Sequence, residues 1–320
     1  MWPSDEIVTA AGSRFLFTVE RSGRIEDYVK YDDIRNAVWG DPDDYLSCPR
    51  NMTAENVWNE GGSLFIGVFR EDEGGDFPRD GAHMAGFAYG FTGLIDKEIG
   101  YRDPANLVFY SQYAGVLPGI RNSGLGIRLK RFQARAVRDG LGISVISCTY
   151  DPLVGVNARR NIHHLGMEAA AYKTACYTGY SGHFNRLDIP TDRFKAVWDL
   201  DHPRPTADVD AADLLERGRL AVSSVLAEVE GLSGRRSLPL ATEPIRPEGQ
   251  DPLLVEIPFD FYAMLKETAV DDPEVRRIPL DWRLITRRVF LSLFESGWRV
   301  VDFCLLPDGD RKRDFYVLSR

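Results

Sequence analysis

Cysteine is scarce in this chain of 320 residues: there are four. Cys48, Cys148, Cys176 and Cys304 lie far apart, with no C-x-x-C pair and no Cys/His spacing suited to zinc. That excludes a disulfide framework and predicts reduced, buried thiols in a cytoplasmic protein. Histidine is equally sparse at five. The one adjacent pair, His163-His164, would point about 100° apart on a helix and cannot clasp a single ion, so no metal is expected. No apolar run reaches the ~18–20 residues of a membrane helix, so no membrane association is expected. The start, Met1-Trp2-Pro3-Ser4-Asp5-Glu6, lacks a basic region followed by an apolar stretch, and no secretory signal is expected. Acidic residues outnumber basic ones, 48 to 39, for a net charge of −9. Such a charge repels a phosphate backbone, and no nucleic-acid partner is expected.

What is present is ordinary globular chemistry. Hydrophobic residues make up 44% and charged residues 27%, enough for a real core. At ~100–200 residues per domain the length predicts two domains, or one domain with a large extension. The composition shift past His202 puts the boundary near residue 205, giving segments 1–205 and 206–320. The first segment alternates strand and helix signals. Strands are predicted at Phe15–Glu20, Leu64–Arg70, His83–Leu94, Leu107–Val116, Ile143–Thr149, Ala170–Thr178 and Phe194–Leu200. Helices are predicted at Glu26–Trp39, stopped by Gly40-Asp41-Pro42, at Leu125–Asp139, stopped by Gly140, and at Asn157–Leu165, ending at Gly166. In the second segment Ala211–Glu230 reads as a helix and Gly231–Gln250 as a linker. A strand at Leu253–Pro258 and a helix marked by Trp282, Ile285, Val289 and Leu293 follow. The chain closes with a hairpin, Val300–Leu305 and Phe315–Leu318, across Pro307-Asp308-Gly309-Asp310.

Residues 107–127 carry the chemistry. An apolar strand, Leu107–Val116, runs through Leu117-Pro118-Gly119-Ile120 into Arg121-Asn122-Ser123-Gly124-Leu125-Gly126-Ile127, an R-x-x-G-x-G loop that opens a helix. Glycines there let backbone approach a ligand closely, and the first helical N–H groups and the helix dipole favour an anion. Arg121, Arg128, Lys130, Arg131, Arg135 and Arg138 add positive charge, with no acid from 121 to 138. A pyrophosphate fits such a cradle; a tight turn beside a solvated basic face is the plainer reading of the same residues. Without G-K-[ST] this is no Walker A loop, and a single G-x-G is not the dinucleotide fingerprint.

This R-x-x-G-x-G loop, with Thr149-Tyr150-Asp151-Pro152-Leu153, Asn157-Ala158 and the ending Leu165-Gly166-Met167, resembles the acyl-CoA-binding core of the GNAT acyltransferase superfamily, and in particular its little-characterised branch of predicted acetyltransferases. The resemblance follows residues ~10–200 in order of elements. It implies a mixed α/β fold, a GNAT-like twisted sheet that splays beside the 107–116 strand and is flanked by helices. A C-terminal α+β extension follows. It implies acetyl-CoA or another acyl-CoA as co-substrate and direct acyl transfer to the amine of a small-molecule acceptor. Pantetheine would pair with backbone at Ala114 and Val116. The pyrophosphate would sit on Asn122, Ser123, Gly124, Leu125, Gly126 and Ile127 beside Arg121, and Asn157 would hold the pantetheine arm.

The catalytic groups are less determined. Direct transfer needs a base for the ammonium, a donor for the oxyanion and an acid for the thiolate. The Val116 N–H can be the oxyanion donor. The usual acid, a tyrosine four residues before the glycine of the L-G-[FM] ending, is here Ile162, with His163 and His164 beside it. Gln112 and Tyr110 stand where relatives carry His or Glu; Tyr110 acts through water or simply packs. Asp151 ends its strand at the cleft mouth, either as a catalytic carboxylate or as a turn-forming Asp-Pro. These departures also leave room for other CoA-thioester chemistry, hydrolysis or decarboxylation, or for a silent CoA-binding protein. Phe290–Trp298, Arg299–Leu306 and Phe315–Arg320 repeat the closing pattern of the fold without its loop. They read as a degenerate second copy or as an unrelated extension, with a role in walling the acceptor pocket or forming a homodimer interface.

Overall fold

The computed structural model describes residues 2–40, 62–177, 184–204, 209–242, 251–309 and 311–320. Cys48, Asp41-Pro42, Thr178, the expected boundary near residue 205, the stretch 243–250 of the expected linker and Asp310 lie outside the described residues. The chain folds into two compact units that interleave in sequence, 1–148 with 198–202, and 149–197 with 203–320.

The first unit is built on a mixed sheet of strands β1 (Glu6–Ala10), β2 (Ser13–Val19), β3 (Ser63–Arg70), β4 (Met84–Leu94), β5 (Leu107–Val116) and β6 (Val145–Tyr150, to Cys148), adjacent in that order. Neighbours from β1 to β5 run antiparallel, and β5 and β6 run parallel. Strands β3 and β4 form a hairpin that pairs Ser63 with Phe91 and Phe69 with Met84, and most residues of both strands are buried. Helix α1 (Val29–Trp39) buries Tyr31, Ile34 and Val38, and Gly40 at φ +69 ends it. Helix α2 (Leu125–Arg135) sets Leu125, Leu129 and Phe132 into one core with Phe15, Phe17, Ile66, Val68 and Phe109. A π-helical turn, Ala136–Leu141, prolongs it, so the stop is Gly142 at φ +71 instead of Gly140. Gly140 has a packing role: a Cβ there would lie 2.3 Å from the Trp2 ring.

In the second unit, α3 (Gly155–Ala158) continues through a π-helical segment, Arg159–His164, and β7 (Glu168–Lys173) pairs antiparallel with β8 (Arg193–Asp199). Helix α4 (Ala211–Glu216) ends at Gly218, φ +64, where a twenty-residue helix was expected. The remainder of that stretch is β9 (Leu220–Val222) and β10 (Ser224–Gly231), and the expected linker supplies β11 (Gly234–Ala241). Gly231 and Gly234 bracket a two-residue turn that pairs β10 with β11, so these glycines fold a hairpin and do not loosen the chain. A four-stranded sheet has the order β13 (Arg299–Asp308), β14 (Arg311–Ser319), β12 (Leu253–Ile257), β9. Helix α5 (Phe261–Glu267) precedes α6 (Pro273–Glu295), which is capped by Asp272 and buries Trp282, Arg283, Thr286, Val289 and Phe290. No helix among the described residues is long and apolar enough to cross a membrane.

Candidate functional site

The geometry of the site starts with an irregularity in β5. Tyr89 faces Tyr113 while Gly90 faces Ser111, so Gln112 is an extra residue, a β-bulge. Gly90 makes room for it: a Cβ there would fall 2.4 Å from the Tyr110 carbonyl oxygen and 2.5 Å from the Phe109 ring. On the other edge, the parallel pairing with β6 covers Phe109 with Ile146 and Tyr110 with Ser147. Beyond Tyr110 the two strands part, and β5 continues to Val116 paired with β4. Backbone polar groups alternate between the two edges of a strand. The Leu117 N–H donates to Ala85 O on the β4 side, 2.9 Å. Val116 and Ala114 therefore present their N–H and C=O groups to the parted edge.

The loop after β5 is shaped for close approach. Pro118–Ile120 makes one 3-10 turn, Asn122 sits at φ +63, and Gly124 at φ +81 is the N-cap of α2. Ser123 Oγ donates to Ile120 O at 2.7 Å, tightening the loop, and no side chain caps the helix. Since Arg128 N–H, donating to Gly124 O, makes the first helical bond, the N–H groups of Leu125, Gly126 and Ile127 precede the ladder. A Cβ built on Gly119, Gly124 or Gly126 meets no atom within 4 Å, so the space before these groups is open. An anion fits there without displacing protein atoms.

The basic helix face is narrower than its sequence implies. Lys130 is buried, 2% exposed, and donates to Ser111 Oγ at 2.7 Å and Gln133 Oε1 at 2.9 Å. Arg135 pairs with Glu6, and Arg138 with Asp139 at 3.1 Å. Arg121, Arg128 and Arg131 are exposed, as is Arg138 beside Asp139. No group of three His, Cys, Asp or Glu side chains that could hold a metal ion occurs among the described residues.

The catalytic candidates have different surroundings. Tyr110 is half-buried with its ring 5.5 Å from Phe91. Asp151, in the second unit, is buried and takes hydrogen bonds from Arg283 at 2.8 and 2.5 Å, from Leu153 N–H at 2.9 Å and from Arg193 at 3.4 Å. Burial favours its protonated form, but Arg283 and then Arg193 hold the carboxyl below its usual range. A carboxylate so saturated is a poor proton acceptor. Asn157 is half-buried and accepts from Arg160 at 3.0 Å. Ile162 is buried, and His163 Nδ1 lies 3.0 Å from Asp302 Oδ1. Sequence reasoning missed Arg283 and Arg287, although their i, i+4 spacing on an apolar helix face was a visible sign of a buried ionic contact.

The first unit is thus a mixed α/β fold: a mixed sheet with a bulged strand that parts from its parallel neighbour, and a glycine-lined loop opening a helix at that point. No protein-family model matches the chain, and no curated protein matches it. Solved structures similar to it include Arabidopsis thaliana NAA60 in complex with acetyl-CoA, at 14% identity and TM-score 0.41, covering 59% of this chain and 99% of that one. The ribosomal-protein-S5-alanine acetyltransferase from Vibrio fischeri is 11% identical at TM-score 0.40, with 60% of this chain and 96% of that one covered. An acetyltransferase of the GNAT family from Streptococcus pneumoniae is 10% identical at TM-score 0.41, with 57% and 99% covered.

Proposed function

We propose that this chain is an acyl-CoA-dependent N-acyltransferase of the cytoplasm, with acetyl-CoA as donor and a small-molecule amine as acceptor. The observation that carries this reading is the row of N–H groups at Leu125, Gly126 and Ile127, opening into free space beside the parted edge of β5. The pyrophosphate of CoA occupies that opening, with Arg121 close to it in sequence and Ser123 holding the loop. Pantetheine lies along Ala114 and Val116 and completes the hydrogen bonding of that edge. The amine nitrogen attacks the thioester carbonyl, a C–N bond forms, the C–S bond breaks, and the Val116 N–H stabilises the oxyanion. The ammonium proton leaves through water near Tyr110, and the thiolate departs with its negative charge or takes a proton from solvent.

A second reading, a CoA-binding protein that is silent in transfer or carries other thioester chemistry, draws on the saturation of Asp151 by arginine. Calorimetry with acetyl-CoA and a thiol-release assay across an amine panel separate the two. CoA release that depends on the amine supports the transferase, and binding with no release, or with release that needs no amine, supports the second reading. The absence of binding overturns both. Gly124→Asp places a carboxylate where the phosphates would lie and should abolish acetyl-CoA binding. Affinity within threefold of the parent, about 0.7 kcal/mol, removes the phosphate assignment.

A further inference from the structure

In the second unit, Asp151 and Asp192 are surrounded by three arginines. Asp151 is chelated by Arg283, and Asp192 by Arg287 through two contacts of 2.7 Å. Asp192 also accepts from the Tyr172 hydroxyl at 2.7 Å and the Ala175 N–H at 2.9 Å. Arg193 is therefore a surplus cation. Its Nη1 donates to Asp192 O at 2.9 Å and makes the long 3.4 Å contact with Asp151. Among the described residues its Nε and Nη2 have no hydrogen-bond acceptor, and neither is sealed from solvent. The side chain is only 12% exposed, and its guanidinium lies over the Tyr177 ring, 5.2 Å from the centroid. Tyr177 is itself 41% exposed, and its hydroxyl is 3.3 Å from Thr149 Oγ1. A largely buried guanidinium held over the Tyr177 ring, whose hydroxyl in turn meets that of Thr149, has the elements of an anion receptor.

We propose that Arg193, with Tyr177 and Thr149, binds the carboxylate of a small-molecule ligand. Arg193 offers two N–H groups in the planar fork that matches a carboxylate, and Tyr177 fixes the plane of that fork. A phosphate dianion suits the site less well, because the Asp151 carboxylate already lies against the same guanidinium and Nη1 is taken up by the Asp192 carbonyl. With the acyl-transfer reading, on which this last step rests, the ligand is the acceptor itself, an amine that bears a carboxylate, as amino acids do.

The test compares free L-amino acids with their amides, which keep the amine and side chain and lose the negative charge. Binding is titrated calorimetrically to the full chain, to Arg193→Gln and to Arg193→Lys, with circular dichroism confirming the fold. At least one amino acid should bind tenfold or more tighter than its amide. That gap should collapse in Arg193→Gln and shrink in Arg193→Lys, which keeps charge without the fork. The proposal is overturned if no amino acid outcompetes its amide, if the gap survives in both variants, or if inorganic phosphate binds more tightly than every amino acid. A separate acetyl-CoA titration keeps the two ideas apart. A carboxylate preference without acetyl-CoA binding would retain the receptor and remove the acyl-transfer reading.

Discussion

Asp151 and Arg283 form a buried, two-point ion pair, with Nη1 to Oδ1 at 2.8 Å and Nη2 to Oδ2 at 2.5 Å. They are separated by 132 positions in sequence, and Arg283 is 1% exposed. Removing one partner of such a pair leaves the other charge uncompensated in a dry site. Asp151→Asn should therefore cost about 3–5 kcal/mol of stability in urea unfolding. The double variant Asp151→Asn/Arg283→Met should lose less than the sum of the single changes. Because the folded carboxyl is held below its usual range, the pair's contribution is complete above the unfolded pKa, near 3.9, and disappears as pH falls through the lower folded value. A loss below about 1 kcal/mol in Asp151→Asn would show that the pair contributes no more than a surface contact.

Asp314 responds to pH in the opposite sense. It is 4% exposed on β14, and Gly155 is packed so closely against it that a Cβ there would lie 1.8 Å from Oδ2. Burial pushes its carboxyl up to about 7, against a smaller opposing effect of Arg159. The unfolded chain releases this proton near pH 4, whereas the folded one retains it to about 7. Folding thus takes up a proton between those values, and stability declines as pH rises through that window and levels off above it. Asp314→Asn should remove this slope, so that its advantage over the parent in urea midpoint is larger at pH 8 than at pH 5. Parallel pH profiles would mean that Asp314 is ionised in the fold.

The segment from Leu107 to Arg135 was legible in sequence because its signals are local. Alternation marks β5, glycine and proline mark the turn, and the spacing of Leu125, Leu129 and Phe132 marks α2. The bulge at Gln112 was not legible, since it depends on which residues of β4 lie opposite. Residues 211–230 were misread because Ala, Leu and Glu favour a helix locally, while β10 is stabilised by a partner strand beyond Gly231. Lys130 counted as a surface charge by composition, yet the α2 register turns it toward Ser111. Asp151 was identified as a residue of note without its meaning, which depends on an arginine more than a hundred residues away.

Affinity for acetyl-CoA should weaken with ionic strength. Arg128 and Arg131 are exposed on the first turns of α2, and exposed charges are screened as the Debye length falls from about 10 Å at 0.1 M salt to about 3 Å at 1 M. The double variant Arg128→Gln/Arg131→Gln should raise Kd severalfold in low salt and should flatten the salt dependence. Lys130→Gln should instead lower stability, because its ammonium is buried against Ser111 and Gln133. A salt-independent Kd for the parent would exclude these arginines from the phosphate site.

The last prediction concerns the thiolate. Ile162 is buried where a tyrosine acid would stand, and His163 Nδ1 is occupied by Asp302 at 3.0 Å. The His164 ring lies against that of His163, 5.0 Å between centroids. A thiol of cysteine type has a pKa near 8.5, so its thiolate is a tolerable leaving group close to neutrality without an acid. The rate should then follow the fraction of free amine and rise with pH along one limb. A protein acid would add a falling limb as it lost its proton. His163→Ala and His164→Ala should each retain activity within tenfold, about 1.4 kcal/mol of barrier. His163→Ala should also lose a little stability, because Asp302 then keeps only its contact with the Phe303 N–H, 2.7 Å. A thousandfold loss of rate in either variant, with fold and acetyl-CoA affinity intact, would make that histidine the acid and would bring back the falling limb.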